Sequence, residues 1–106
     1  MPNNCIFCKI ANKEIPANIM FENEHIIAFK DLNPKANTHL LVIPKQHFEN
    51  LSKIDDNNLI LELILGIKEI TEKYNISDYK VQTNNGKGAG QEVFHLHFHI
   101  LSNKKI

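Results

Sequence analysis

Three histidines, His95, His97 and His99, alternate with Leu96, Phe98 and Ile100 near the end of this 106-residue chain. Alternation with a period of two marks an extended strand with two unlike faces. The apolar side chains can enter a core, and the three imidazoles then share the opposite face. No other side chain changes its charge so readily near neutral pH. Half of the chain's six histidines are committed to this row.

Three chemistries compete for such a row. A merely solvated face is disfavoured, because Lys, Glu, Asn and Thr commonly serve that purpose. A single metal held by all three rings conflicts with geometry. Alternate strand positions lie about 6.7 Å apart, so the end residues are about 13 Å apart along the backbone. Zinc needs nitrogens at about 2.0–2.1 Å. An end histidine joined to ligands from elsewhere in the chain escapes that objection. The third chemistry is covalent catalysis at phosphorus. A neutral imidazole attacks phosphorus and leaves again readily, while a neighbouring ring donates a hydrogen bond to a phosphoryl oxygen. A strand holds such a nucleophile and donor rigidly at alternate positions.

Cys5 and Cys8 form a second pattern. In a reducing compartment Cys-x-x-Cys reads as half of a metal site or as a redox pair. A thioredoxin-like role is disfavoured, because the pair does not follow a strand in a βαβ unit. Twelve acidic and twelve basic residues cancel, which removes the electrostatic case for general nucleic-acid binding. All twelve basic residues are lysines. A phosphate site here has to use backbone N–H groups, histidine, lysine or amide side chains instead of a guanidinium fork. No apolar run nears the ~20 residues needed to span a bilayer. The first residues also lack the basic start and apolar stretch of a signal peptide. The expectation is a cytoplasmic protein with no membrane contact.

A chain of this length sustains one core, so a single domain over 1–106 is expected. Residues 5–13 read as a short helix ending before Pro16. Asn18–Glu22 and His25–Lys30 read as a hairpin about Asn23-Glu24. A loop over 31–38 leads to a strand at His39–Ile43. The clearest helix spans 55–74, with Asp55 as N-cap and Ile54 and Leu59 as a hydrophobic staple. Leu59, Leu63, Ile67, Ile70 and Tyr74 follow helical spacing, and Ile60, Ile64 and Leu65 widen the stripe. That width implies burial on more than one side, in the core or against a second subunit. Tyr79–Thr83 reads as a strand, Asn84–Gln91 as a loop with three of the four glycines, and Val93–Leu101 as the histidine strand. The order suits an α+β domain, an antiparallel five-stranded sheet with helices on one face, one long and one or two short. The Gly-rich loop lacks the ending of a P-loop and leads into a strand, so neither a Walker motif nor a dinucleotide fingerprint fits.

The string His95–Leu101 resembles the signature of the histidine triad (HIT) family of nucleotide hydrolases and transferases. Cys5-Ile6-Phe7-Cys8-Lys9-Ile10, Phe29-Lys30-Asp31, Thr38–Lys45 and Gly90-Gln91-Glu92-Val93 are similar to segments of its Hint-like branch, in the same order along nearly the whole chain. The resemblance implies that His97 is the covalent nucleophile, with His99 and His39 donating to non-bridging or leaving-group oxygens. It implies hydrolysis of α-substituted purine nucleoside monophosphates, of the phosphoramidase type, in two steps. It places Ile6, Phe7, Ile10, Ile15, Phe29, Leu32 and Leu41 around base and sugar, and Asp31 at the ribose. On residue type alone Asp31 reads first as a loop-start Asp capping its own backbone. Asn84 and Gln91, with the amides of Glu92 and Val93, are implied phosphate contacts. Several Hint relatives carry serine where this chain has Glu92, so its carboxylate is either a general acid or a repulsive group beside phosphate. By similarity to zinc-bearing relatives, His47 and His95 complete a structural zinc site with Cys5 and Cys8. Hint-type proteins are homodimers, which implies pairing through the long helix and a sheet edge. Two rival functions remain from sequence: a nucleotide- or partner-binding module with vestigial activity, and a Fhit-type dinucleoside polyphosphate hydrolase.

Overall fold

Asn23 closes the first hairpin with its side chain. Its Oδ1 accepts from the backbone N–H groups of His25 and Ile26 at 2.9 and 3.0 Å, an Asx turn that joins two short apolar runs. The computed structural model describes residues 4–106. The elements run α1 (Ile6–Ala11), β1 (Ile19–Glu22), β2 (Ile26–Lys30), β3 (Thr38–Pro44), α2 (Asn57–Lys73), β4 (Lys80–Gln82) and β5 (Phe98–Ser102). Single 3-10 turns lie at Leu51–Lys53 and Lys87–Ala89. The five strands form one sheet in the order β1-β2-β3-β5-β4, with every neighbour antiparallel.

The sheet is covered on both faces, not on one as the element order suggests. Ile26, Ala28, Leu40, Val42, Phe98 and Ile100 face α2 and pack with its Leu59, Leu63, Ile67 and Ile70. The intervening Ile27, Phe29, Leu41 and Ile43 pack against Phe7, Cys8, Ile10 and Ala11 of α1. Period-two alternation therefore assigns Ile26–Phe29 and Leu40–Ile43 by turns to one of two apolar layers, and every residue of β3 is buried. The histidine positions of β5 fall on the α1 side.

α2 begins one residue later than its sequence suggests. Asp56, not Asp55, is the N-cap, accepting from the Leu59 N–H at 3.1 Å. Ile54 and Leu59 still share one buried cluster. Tyr74 anchors the other end, its hydroxyl donating to the Met20 carbonyl at 2.5 Å. Leu61, Ile64 and Leu65 lie on the outer side of α2 and remain about half exposed, at 55%, 45% and 45%.

The histidine strand is also shorter than the alternation implies. Regular pairing starts at Phe98, so His95 and His97 precede the ladder. With Val42 opposite Phe98, the register would next set Pro44 against Leu96. Proline has no N–H to offer. The Leu96 N–H turns instead to the Phe48 carbonyl at 2.6 Å. Leu96 nevertheless remains in the α2-side core, so the in-out alternation of the row survives the loss of the ladder.

Gly66 lets α2 approach the sheet, since a Cβ there would run into Cδ1 of Ile26, a residue with no exposed surface. Gly66→Ala gains about 1 kcal/mol of helix propensity but overpacks the core at a cost of about 1–3 kcal/mol. Urea unfolding is expected to show a net loss of stability.

Candidate active site

One cavity of about 580 Å³ opens on the α1 side of the sheet, within the usual range for small-molecule sites. Its apolar part is made by Ile6, Phe7 and Ile10 of α1, Phe29 of β2, Leu41 of β3, and Val93. Its polar part is made by Asp31, His39, Asn84, Glu92, His97 and His99. Leu32 stands at the rim, 91% exposed.

The row divides into three environments. His95 is fully buried. Its Nε2 donates to the Pro44 carbonyl at 2.8 Å, which leaves the Nδ1 lone pair free. That nitrogen faces Cys5 Sγ at 3.4 Å, Cys8 Sγ at 3.5 Å and His47 Nδ1 at 3.1 Å. Cys8 Sγ lies 3.3 Å from His47 Nδ1. All four ligand atoms fall within 4.8 Å of one another, an arrangement that can hold a metal ion. Burial pushes the Cys8 thiol up to about 11, assisted by its hydrogen bond with Cys5. Burial likewise pushes His95 down to about 4. Both cysteines are free thiols.

His97 is bonded the other way round. Its Nδ1 donates to the backbone carbonyl of His95 at 2.8 Å, so Nε2 carries the lone pair. The ring is packed edge-on against Phe7, with centroids 5.1 Å apart and planes at 88°. Burial lowers its proton affinity, while the bond to the His95 carbonyl and the Asp31 charge pull it partly back. The result is a neutral ring with an unprotonated Nε2 in the cavity wall.

A third arrangement sets His39 and His99. The Lys35 backbone N–H donates to His39 Nδ1 at 3.0 Å. The proton of a neutral His39 therefore sits on Nε2, which donates to His99 Nδ1 at 2.8 Å. His99 in turn must carry its proton on Nε2. Burial, with His97 and His39 adjacent, pushes His99 down to about 4. One backbone amide thus fixes two rings, and makes His99 a neutral hydrogen-bond donor beside His97, the ring centroids 5.0 Å apart.

Asp31 combines both of its sequence-based readings. Oδ1 accepts from the Asn33 N–H at 2.9 Å, as in a loop-start Asx turn, while Oδ2 lies 3.4 Å from His39 Nε2 on the cavity wall. Two predicted binding residues are placed elsewhere. Ile15 packs against the α1-side core without lining the cavity. Gln91 is buried, its Nε2 donating to the Glu49 and Val93 carbonyls and its Oε1 accepting from Gly86. Its amide is spent closing the Gly-rich loop, so it does not reach the cavity. In that loop Gly86 and Gly90 take positive φ, +95° and +91°, which only glycine adopts freely. Pro16, Ala17 and Asn18, with Lys35, Lys80 and Gln82, also line the cavity and carry no motif, and Lys30 of the Phe29-Lys30-Asp31 segment joins them. Lys80 and Gln82 were legible only through register, since Gln82 pairs with His99.

Known proteins are similar to this chain in sequence and in overall fold. The family model for the scavenger mRNA decapping enzyme C-terminal binding domain matches residues 4–105. Protein HitA of Neisseria gonorrhoeae is 48% identical over 102 residues, covering 93% of this chain and 95% of that one. The structure of a histidine triad protein from Clostridium difficile superposes with a TM-score of 0.93 at 41% identity, covering 100% of this chain and 96% of that one. A HIT family hydrolase from Legionella pneumophila gives 0.90 at 40% identity, with 96% and 95% covered.

The neutral rings carry a pH signature. His99 sits at about 4 in the fold and near 6.5 when unfolded. Between those values the unfolded chain binds the extra proton, so stability falls on acidification from pH 6.5 toward 4. Thermal melts across that range should show this loss, and His99→Gln should show a shallower slope than wild type.

Proposed function

Because the chain belongs to the histidine triad family, we propose that it is a nucleotide hydrolase working as a single domain. Its substrates are purine nucleoside monophosphates substituted on the α-phosphorus, phosphoramidates first among them. The supporting observation is the bond from His97 Nδ1 to the His95 carbonyl, which leaves Nε2 unprotonated in the cavity wall. Similarity to HIT family hydrolases from Legionella pneumophila and Clostridium thermocellum supports the reaction class.

Two displacements make up the reaction. His97 Nε2 forms a bond to phosphorus as the P–N bond to the amine breaks, and the departing amine takes a proton from solvent. A water oxygen then bonds to phosphorus and gives up a proton to solvent, the bond to Nε2 breaks, and a nucleoside monophosphate is released. Dividing the work this way replaces one hard step with two easier ones. His99 Nε2–H, held by His39, stabilises the phosphoryl oxygens in both steps. Glu92 and Asn84 line the leaving-group side. Asp31 Oδ2 accepts from the ribose hydroxyls, and the slot between Phe7, Ile10, Phe29 and Leu41 takes the base with little reading of its edges.

Cys5, Cys8, His47 and His95 would hold a zinc ion. Zinc bond lengths in a tetrahedron set N and S ligands about 3.3–3.6 Å apart, and the Sγ–Nδ1 and Nδ1–Nδ1 separations here are 3.1–3.5 Å. The bond from His95 Nε2 to the Pro44 carbonyl is the outer partner that orients a metal-bound imidazole. Bound there, zinc supplies a cross-link and takes no part in the reaction. Pairing of two copies would cover Leu61, Ile64 and Leu65 of α2 and the open edge of β4.

Wild-type enzyme should hydrolyse an adenosine phosphoramidate faster than a diadenosine polyphosphate; the reverse order moves it to the Fhit-type reading. His97→Ala should cut kcat by about a thousandfold or more while equilibrium dialysis shows nucleotide still bound, and undiminished turnover would refute the assignment. Cys5→Ser combined with Cys8→Ser should remove zinc from the purified protein by elemental analysis and lower its melting temperature more than its rate constant. Sedimentation of wild type at twice the monomer mass would establish the pairing.

A further inference from the structure

We propose that Thr83 is a positioning residue for His97, an inference that rests on the reaction read above. Its hydroxyl donates to the backbone carbonyl of His97 at 2.7 Å. The location gives that bond its importance. The β4–β5 ladder pairs Lys80 with Leu101, Val81 with Ile100 and Gln82 with His99, and there it stops. On the other side the β3–β5 ladder stops at Phe98. His97 thus lies past the end of both ladders, one residue beyond on the β3 side and two on the β4 side, without a ladder to hold its peptide. Thr83 is the first residue past the end of β4, and its side chain takes over where backbone pairing ceases.

Two bonds then define the nucleophile. The Thr83 hydroxyl fixes the carbonyl of His97, and the carbonyl of His95 receives the Nδ1 proton of the ring. The first holds the backbone orientation on which the second depends. Thr83 cannot act on substrate directly, because Gln82 and Asn84 line the cavity and Thr83 does not, as strand alternation requires. A freed peptide at 97 would let the ring turn, weaken its bond to the His95 carbonyl, and let the proton move to Nε2. Each molecule in that tautomer has no lone pair to present to phosphorus.

Thr83→Val keeps the shape and removes the donor; Thr83→Ser keeps the donor. Steady-state kinetics on an adenosine phosphoramidate should show kcat down about tenfold in Thr83→Val with KM within about twofold of wild type, and near-wild-type kcat in Thr83→Ser. With 15N-labelled histidine, wild type should show His97 protonated on Nδ1 alone, and Thr83→Val a mixture of both tautomers. A single Nδ1–H signal in Thr83→Val overturns the proposal, whatever the rate. Equal losses in the Ser and Val variants also overturn it. The ring signal needs no turnover, so a wild-type enzyme inactive on every nucleotide would refute the reaction while the role of Thr83 was still decided.

Discussion

The hydrogen bond from His97 Nδ1 to the carbonyl of His95 is the constraint around which the site is arranged. Buried imidazoles need hydrogen-bond partners, and His95, His97 and His39 each find one in a backbone group. His95 gives its Nε2 proton to Pro44, His97 gives its Nδ1 proton to His95, and His39 takes the Lys35 amide. Those three backbone contacts give chemically identical side chains different free nitrogens, and with them the ligand, nucleophile and donor roles we propose. Burial assists by lowering the proton affinity of all of them, so they work as neutral rings at pH 7.

His95 serves two centres at once. Its ring joins the Cys5, Cys8 and His47 cluster while its carbonyl holds the ring of His97. α1 is likewise shared, because Cys5 and Cys8 face the cluster and Ile6, Phe7 and Ile10 face the cavity. A helix of six residues has little stability of its own. Its seat on the sheet comes from apolar packing and from the cluster at its first turn. The Cys/His cluster and the apolar part of the cavity are therefore built on two faces of one short helix.

Much of this was legible in the sequence. Short apolar runs gave β2 and β3, alternation gave the two faces of the histidine row, and the spacing through Leu59, Leu63, Ile67 and Ile70 gave α2. What escaped depends on contacts between distant segments. The coverage of the sheet by α1 as well as α2 is invisible to periodicity, because strands buried on both faces look simply apolar. The early end of β5 follows from Pro44, a residue some fifty positions away in the register. Gln91 looked like a phosphate ligand because its amide suits one; only the folded loop shows both ends of that amide engaged. Pro16, Ala17 and Asn18 enter the cavity through chain path alone. Thr83 has no motif, and its importance arises from where two ladders happen to stop.

The proposed reaction requires His97 Nε2 to be the atom that bonds to phosphorus. Rapid quenching of wild-type enzyme during turnover of an adenosine phosphoramidate, followed by peptide mass spectrometry, tests this directly. The expected result is one nucleotidyl group on residue 97. Turnover with no adduct on the protein, or an adduct on another histidine, would contradict it.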